Sequence, residues 1–282
     1  MRGAGAASLA ETLRGRRVGV ALSSAFFGFF GHAGFLRALG AAGVEPALLG
    51  GTSAGAMAAA FAGAGGLEPF IEVIAGLRRA DFWDPAVPTA RPPGLLKGAR
   101  LRGLLERHLP VRRFEDCVTP VLTVSTSLRR RARHVDTTGD LALAVHASSA
   151  LPLLFAPVRR ADGDLHLDGG LFDKAPIAAM LDHRPDLEAL VVHLIPSSGM
   201  DRRVAGTPFT FVEQALDWVR DDGWRLQADL ATARGVPVYV VTTHPPRPNP
   251  LRLDRGPQAV AVSEAQTRAA LAASAQAWPA GA

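Results

Sequence analysis

The stretch that most constrains this 282-residue chain is Gly50-Gly51-Thr52-Ser53-Ala54-Gly55. A short apolar run, Pro46-Ala47-Leu48-Leu49, leads into it, and the Ala-rich run from Ala56 to Ala62 leads out. Those flanks read as a buried strand and a helix. A serine set between glycines at a strand-to-helix turn is a nucleophile elbow, a strained turn in which neighbouring Cβ atoms would collide. Its hydroxyl stands at a helix N-terminus, where free N–H groups and the helix dipole favour a developing negative charge. The chemistry such a turn serves is acyl transfer. In a chain with 29 glycines the same residues also read as a plain Gly-rich turn, so the remaining sequence has to discriminate.

Along the chain, strands and helices alternate. Arg17 to Leu22 reads as a first strand, followed by a turn of small and aromatic residues from Ser23 to Gly31. A helix runs from His32 to Ala42 with Gly43 as its C-cap, and Ala47 to Leu49 forms the second strand, which makes a βαβ unit with parallel pairing. Amphipathic spacing predicts helices over Leu67 to Ala80 and Ala99 to Leu109. Between them, Asp81 to Gly98 carries Pro85, Pro88, Pro92 and Pro93 and reads as a loop of the kind that edges a binding site. Val121 to Ser127 and Arg133 to Thr137 read as a hairpin, and Leu141 to Ala147 as a helix capped by Asp140. Short strands follow at Leu153 to Val158 and Leu165 to Leu167, then a helix starting near Pro176. Leu190 to Ile195 is a buried strand, Pro208 to Ala233 is mostly helical, broken or bent near Asp222-Gly223, Val236 to Thr242 is a last strand, and Pro257 to Ala277 a closing helix. The alternation predicts an α/β class with one domain over residues 17–282, preceded by a flexible N-terminal segment over 1–16.

Composition narrows the partners. Hydrophobic residues make up 48% and charged ones 20%, ordinary for a globular enzyme. The net charge is +5, and every basic residue is Arg except Lys97 and Lys174. That excess suits anionic headgroups, or reflects nothing more than an Arg-rich coding bias. No block of like charge and no nucleic-acid motif accompanies it, so no nucleic-acid partner is expected. Cys117 is the one cysteine, reads as core, and has no partner for a disulfide or a Cys-type metal site. Met1 to Arg17 lacks an apolar signal-peptide core, and no run of 18 apolar residues occurs. The expectation is a cytoplasmic protein, with signal-less export left open and oligomeric state unassigned.

A serine hydroxyl needs a base within hydrogen-bond reach. His183 lies in a polar turn, His193 inside a buried strand, and His244 in the Pro245 to Pro250 connector, where a loop histidine could reach a site. The other base is Asp168 of Asp168-Gly169-Gly170, at the end of a strand, which could accept the proton directly if burial raised its pKa. A plain Asp-Gly-Gly turn is the competing reading.

Gly51-Thr52-Ser53-Ala54-Gly55 together with Asp168-Gly169-Gly170 resembles the patatin-like phospholipase family. Between them, Ala147 to Val158 resembles the family's Ser-Ala-x-x-Pro-x-x-Phe-x-Pro segment, and Gly31 to Leu39 its His-x-Gly-x-Leu first helix. The resemblance covers roughly Val18 to Pro176 and implies a three-layer α/β/α fold with a mainly parallel central sheet. It implies a Ser-Asp dyad of Ser53 and Asp168 that cleaves phospholipid or other carboxylic esters through an acyl-enzyme, with Gly51, Gly55, Gly169 and Gly170 as structural glycines. The oxyanion would be held by the Ala54 amide and by donors from the loop after the first strand, here Ser24, Ala25, Phe26 and Gly28. No metal or other cofactor is implied. The partners are a lipid or ester substrate and, peripherally, a membrane surface.

Two departures from the family pattern stand out. Where the family carries three consecutive glycines, this chain has Ser23-Ser24-Ala25 before Phe26-Phe27-Gly28, so the hole is built differently, with a Ser hydroxyl or the Gly28 N–H, or activity is low. A weak or inactive lipid- or partner-binding protein on the same fold is therefore the alternative. Lys174 replaces the family's Asn, where it either sits near Asp168, binds an anionic headgroup, or is merely solvated. Phe26, Phe27, Phe29 and Phe30 are candidates for an acyl-chain pocket, and their spacing requires them to split between pocket and core.

Overall fold

The computed structural model of the chain describes residues 7–87, 94–196 and 208–279. Strands β1 (Val18–Leu22), β2 (Pro46–Thr52), β3 (Val121–Ser127), β4 (Ala132–Asp136), β5 (Val158–Arg159), β6 (Leu165–Asp168), β7 (Ala189–Leu194) and β8 (Val238–Thr242) form one sheet. Its order is β5-β6-β3-β2-β1-β7-β8, with β4 on β3. The five strands β3-β2-β1-β7-β8 run parallel, and β4, β5 and β6 pair antiparallel. Helices α1 (Leu9–Leu13), α2 (Phe29–Ala41), α3 (Ala54–Gly63), α4 (Leu67–Ala75), α5 (Ala99–His108), α6 (Leu141–Ser148), α7 (Ile177–His183), α8 (Pro208–Ala233) and α9 (Gly256–Ala272) interleave with the strands.

The strands sort their side chains by period two. In β7, Ala189 and Val191 join the core cluster that also holds α2, α3, α6 and α9, while Leu190, Val192 and Leu194 join a second cluster with α7 and α8. Both faces of the sheet are therefore covered, which is why its central strands are apolar on both sides. This is the three-layer arrangement the sequence predicts.

The register around β3 brings the two halves of the site together. β4 occupies one edge of β3 along Thr123 to Ser127. The other edge is shared, because β2 pairs with Val121 to Val124 and β6 takes over at Ser125, opposite Asp168. Thr52, at the end of β2, sits opposite Val124. The residue after Thr52 and the last residue of β6 thus meet where one strand stops and the other begins.

Four local expectations are corrected. The segment 1–16 is not uniformly flexible: Ser8 closes a capping box with Glu11, Leu9 and Leu13 are buried, and the Leu9 N–H donates to the Ala273 carbonyl (2.8 Å), so α1 is docked on the C-terminal end of α9. Residues 1–6 lie outside the described residues, as do Pro88, Pro92 and Pro93 of the proline loop. Leu153 to Val158 is not a continuous strand: Phe155 makes an isolated parallel bridge to Leu96, and regular pairing begins only at Val158–Arg159, after Pro157, which offers no N–H to a ladder. α8 runs unbroken through Gly223, around which there is open space. Cys117 is only partly buried, beside an exposed Val118.

Candidate active site

Ser53 stands between β2 and α3 with φ 57° and ψ −118°, a conformation that strains any residue with a Cβ. The strain is held by contacts on both sides. A Cβ on Gly51 would collide with the Gly55 carbonyl, and one on Gly55 with the Leu22 carbonyl, so the elbow closes only over glycine. The Ser53 N–H donates to Ser148 Oγ (2.9 Å), whose own hydroxyl donates to the Val124 carbonyl (2.6 Å). Helix α6 thereby ties the elbow to β3.

The Ser53 hydroxyl donates to Asp168 Oδ2 at 2.6 Å. Asp168 Oδ1 accepts the Gly170 N–H (2.7 Å), and the Asp168 carbonyl accepts from Thr126 Oγ1 (2.8 Å). The carboxyl is buried, and burial pushes its pKa up to about 6 against the opposing hydrogen bonds from Ser53 and Gly170 and the charge of Arg220. A carboxylate at that distance and basicity can take the serine proton without a histidine. His244 is exposed, its N–H donates to Gln266, and it does not line the cavity described below.

A second Ser-His-Asp constellation lies between β3 and β6. Ser125 Oγ is 2.8 Å from His166 Nδ1, and His166 Nε2 is 3.4 Å from Asp164. All three are buried, so a substrate could not reach that serine.

An apolar cavity opens beside Ser53 and Asp168. Phe26, Phe27 and Phe29 line it together with Met57, Phe82, Trp83, Leu96, Leu154 and Phe155, whereas Phe30 is fully buried against Gly256. The aromatic cluster does split, three to the cavity and one to the core. Trp83 belongs to the proline-rich loop and carries the Arg79 guanidinium over its ring at 4.2 Å.

The loop from Ser23 to Gly28 is fixed from behind. His32 Nε2–H donates to the Ser23 carbonyl (2.8 Å), His32 Nδ1 accepts from His193 Nδ1 (2.8 Å), and His193 Nε2 accepts from Thr243 Oγ1 (2.9 Å). Burial pushes the pKa of His32 down to about 4 and that of His193 well below its usual value, so both are neutral and this tautomer set is consistent. The Ser24 N–H donates to the Lys174 carbonyl (2.7 Å) and the Gly28 N–H to the Ala25 carbonyl (2.8 Å). Two of the four loop amides expected to hold the oxyanion are therefore engaged elsewhere. Ala25 and Phe26 face the cavity, as does Ser24, whose buried hydroxyl lacks a partner and packs against Gly170. Within this loop the positive φ falls on Phe27, at 54°.

Lys174 does not reach the cavity. It is 3% exposed, and its Nζ lies 2.6 Å from Asp221 and 3.6 Å from Asp217, both on α8. The cation at the site is instead Arg220, whose Nη2 donates to Asp217 (2.7 Å) and Nη1 to the Gly170 carbonyl (3.3 Å). Asp217 and Arg220 line the cavity, and sequence reasoning missed both. Their only local signal is an Asp and an Arg three apart on a helix, which is an ordinary surface pair.

Comparison with known proteins follows the same outline. An uncharacterized NTE family protein of Mycobacterium bovis is 27% identical over 175 residues, which cover 62% of this chain and 48% of that protein. Another, of Mycobacterium tuberculosis, is 30% identical over 212 residues, covering 69% of this chain and 34% of that one. The chain thus spans about half the length of the first relative and a third of the second. The crystal structure of VipD from Legionella pneumophila superposes with a TM-score of 0.54 at 16% identity, over 93% of this chain and 68% of that one, and has the same fold. The description "Patatin-like phospholipase" matches residues 20–181, which hold the elbow, the Asp-Gly-Gly turn and the helix between them, and the chain belongs to that family.

Proposed function

We propose that the chain is a serine acyl hydrolase that cleaves lipid or other carboxylic esters through a Ser53-Asp168 dyad. The observation that carries this reading is the 2.6 Å hydrogen bond from Ser53 Oγ to a buried carboxyl, both lining an apolar cavity. Ser53 Oγ attacks the ester carbonyl carbon as its proton passes to Asp168. The tetrahedral oxyanion collapses, the C–O bond to the alcohol breaks, and Asp168 returns the proton to the leaving oxygen. Water then attacks the acyl carbonyl, gives a proton to Asp168, and Ser53 leaves carrying that proton. The oxyanion is held by the Ala54 amide at the start of α3 and by the cavity-facing Ala25 and Phe26 of the loop, with the Ser24 hydroxyl in place of the Ser24 amide that donates to Lys174. The acyl chain lies among Phe26, Phe27, Phe29 and Met57.

One observation favours a second reading, a weak or inactive lipid-binding protein: the Ser24 and Gly28 amides are engaged within the fold. Labelling of Ser53 by a fluorophosphonate, with turnover of medium-chain nitrophenyl esters that Ser53→Ala abolishes, is the expected result. Turnover that persists in Ser53→Ala would refute the dyad. Labelling without turnover would favour the binding protein.

A further inference from the structure

Leu153 combines two features that each disfavour a leucine. Its φ is +70°, in the left-handed region that side chains with a Cβ rarely adopt, and it is 66% exposed. The backbone has a clear reason for the turn. The Leu153 carbonyl accepts the Leu95 N–H (3.1 Å) and the Leu154 carbonyl the Leu96 N–H (2.8 Å), while Leu96 and Leu154 point into the cavity. A glycine at 153 would make the same turn without strain and without exposing apolar surface. What the leucine adds is an exposed apolar group directly beside the cavity-lining Leu154.

Two further leucines stand in the same relation to the cavity. Leu95 is 67% exposed and precedes the lining residue Leu96, and Leu251 is 77% exposed and follows the lining residue Pro250. Exposed cations stand next to both: Lys97 two residues after Leu95, and Arg252, whose Nε reaches Asp254 (3.3 Å), directly after Leu251. Apolar tips flanked by long cationic side chains match the boundary between acyl chains and anionic headgroups, the cations staying at headgroup level while the leucines enter the apolar layer.

We propose that Leu95, Leu153 and Leu251 form a docking rim that seats the cavity mouth on a lipid surface carrying anionic headgroups. The surface is favoured over a protein partner because the rim is continuous with the cavity that takes the acyl chain. An ester docked this way passes from the aggregate into the cavity without exposing its chain to water. The choice of a lipid surface and the identity of the delivered ester both rest on the acyl-chain reading of the cavity, but the binding measured below does not depend on turnover.

The test is cosedimentation of the full chain carrying Ser53→Ala with vesicles of phosphatidylglycerol and phosphatidylcholine, and with phosphatidylcholine alone. The expected result is binding to the anionic vesicles that falls at least tenfold in Leu95→Ser/Leu153→Gly, and severalfold in Lys97→Ala/Arg252→Ala. Leu153→Gly alone is expected to raise the melting temperature, since it relieves the left-handed leucine, so its lost binding is not a folding defect. Equal binding by the variants, or no binding by the parent, overturns the proposal. So does a concentration-dependent dimer that the leucine variants dissolve, which would assign the rim to a second copy. Because turnover is absent from this assay, a positive result survives failure of the dyad, and a negative one leaves the dyad untouched.

Discussion

Replacing Asp168 by Asn keeps the side chain's shape and both of its hydrogen bonds while deleting its charge. The Asn oxygen can accept the Gly170 N–H that Oδ1 accepts now, and its amide can donate to Ser53 Oγ. The carboxyl it replaces is raised by burial from 3.8 to about 6. A folded-state pKa above the unfolded one means that the native protein binds more protons between these two values, so stability is lost as the pH rises through that window. The full difference, present above about pH 7, is about 3 kcal/mol at roughly 1.4 kcal/mol per pH unit. Asp168→Asn therefore matches the parent in urea unfolding near pH 4 and is more stable by up to about 3 kcal/mol at pH 7.5, while turnover falls by about 10²–10⁴ with the loss of the base. In the parent, kcat/KM rises with pH through a midpoint near 6, where the carboxyl ionises. A stability difference that does not change with pH, or an Asn variant less stable than the parent at pH 7.5, would refute the claim that this carboxyl is held ionised against its burial.

Three other substitutions probe the surroundings of the dyad. Ser24→Ala removes a buried hydroxyl without a partner, so the melting temperature holds or rises, while steady-state kinetics show kcat lowered toward the roughly 10²–10³-fold loss of one oxyanion donor at unchanged KM; an unchanged kcat would leave the hole to the amides. Lys174→Met leaves Asp217 and Asp221 without their buried cation and destabilises by about 3–5 kcal/mol in chemical unfolding, and a neutral result would mean that Arg220 alone compensates both acids. Arg220→Met removes the charge that lowers the Asp168 pKa, so the midpoint of the pH–rate profile moves above 6; a midpoint that stays or falls would show that the guanidinium does not act on the dyad.

Much of this arrangement was legible in the sequence because its cause is local. The elbow, the Asp140 cap on Leu143 and the apolar strands follow from residues within a few positions of one another. Ser53 and Asp168 were named by motif, and the handover on β3 that brings them together adds the geometry. What was missed depends on distant partners. Lys174 reads as solvated or headgroup-binding until α8 supplies Asp217 and Asp221. α1 reads as a loose tail until the end of α9 gives it a surface to cover. Leu153 to Val158 has the composition of a strand, yet it pairs only through the single bridge of Phe155 to Leu96 before Pro157 interrupts the ladder. The missing glycines in the oxyanion loop were visible, but not that the positive φ within it would fall on Phe27.

The site is larger than the segment that identifies the family. The family match ends at residue 181, yet Asp217, Arg220 and Pro250 line the cavity beyond it. The basicity of Asp168 is accordingly set from two directions. Burial raises its pKa, and the hydrogen bonds from Ser53 and Gly170 and the charge of Arg220 on α8 lower it, with Asp217 holding the guanidinium in place. Less burial would make the carboxylate less basic, and less positive charge would keep it protonated to a higher pH. On the proposed mechanism helix α8 therefore bears on the same proton as the elbow, and substitutions there are expected to shift the pH profile of turnover while Ser53, Asp168 and every matched motif stay unaltered.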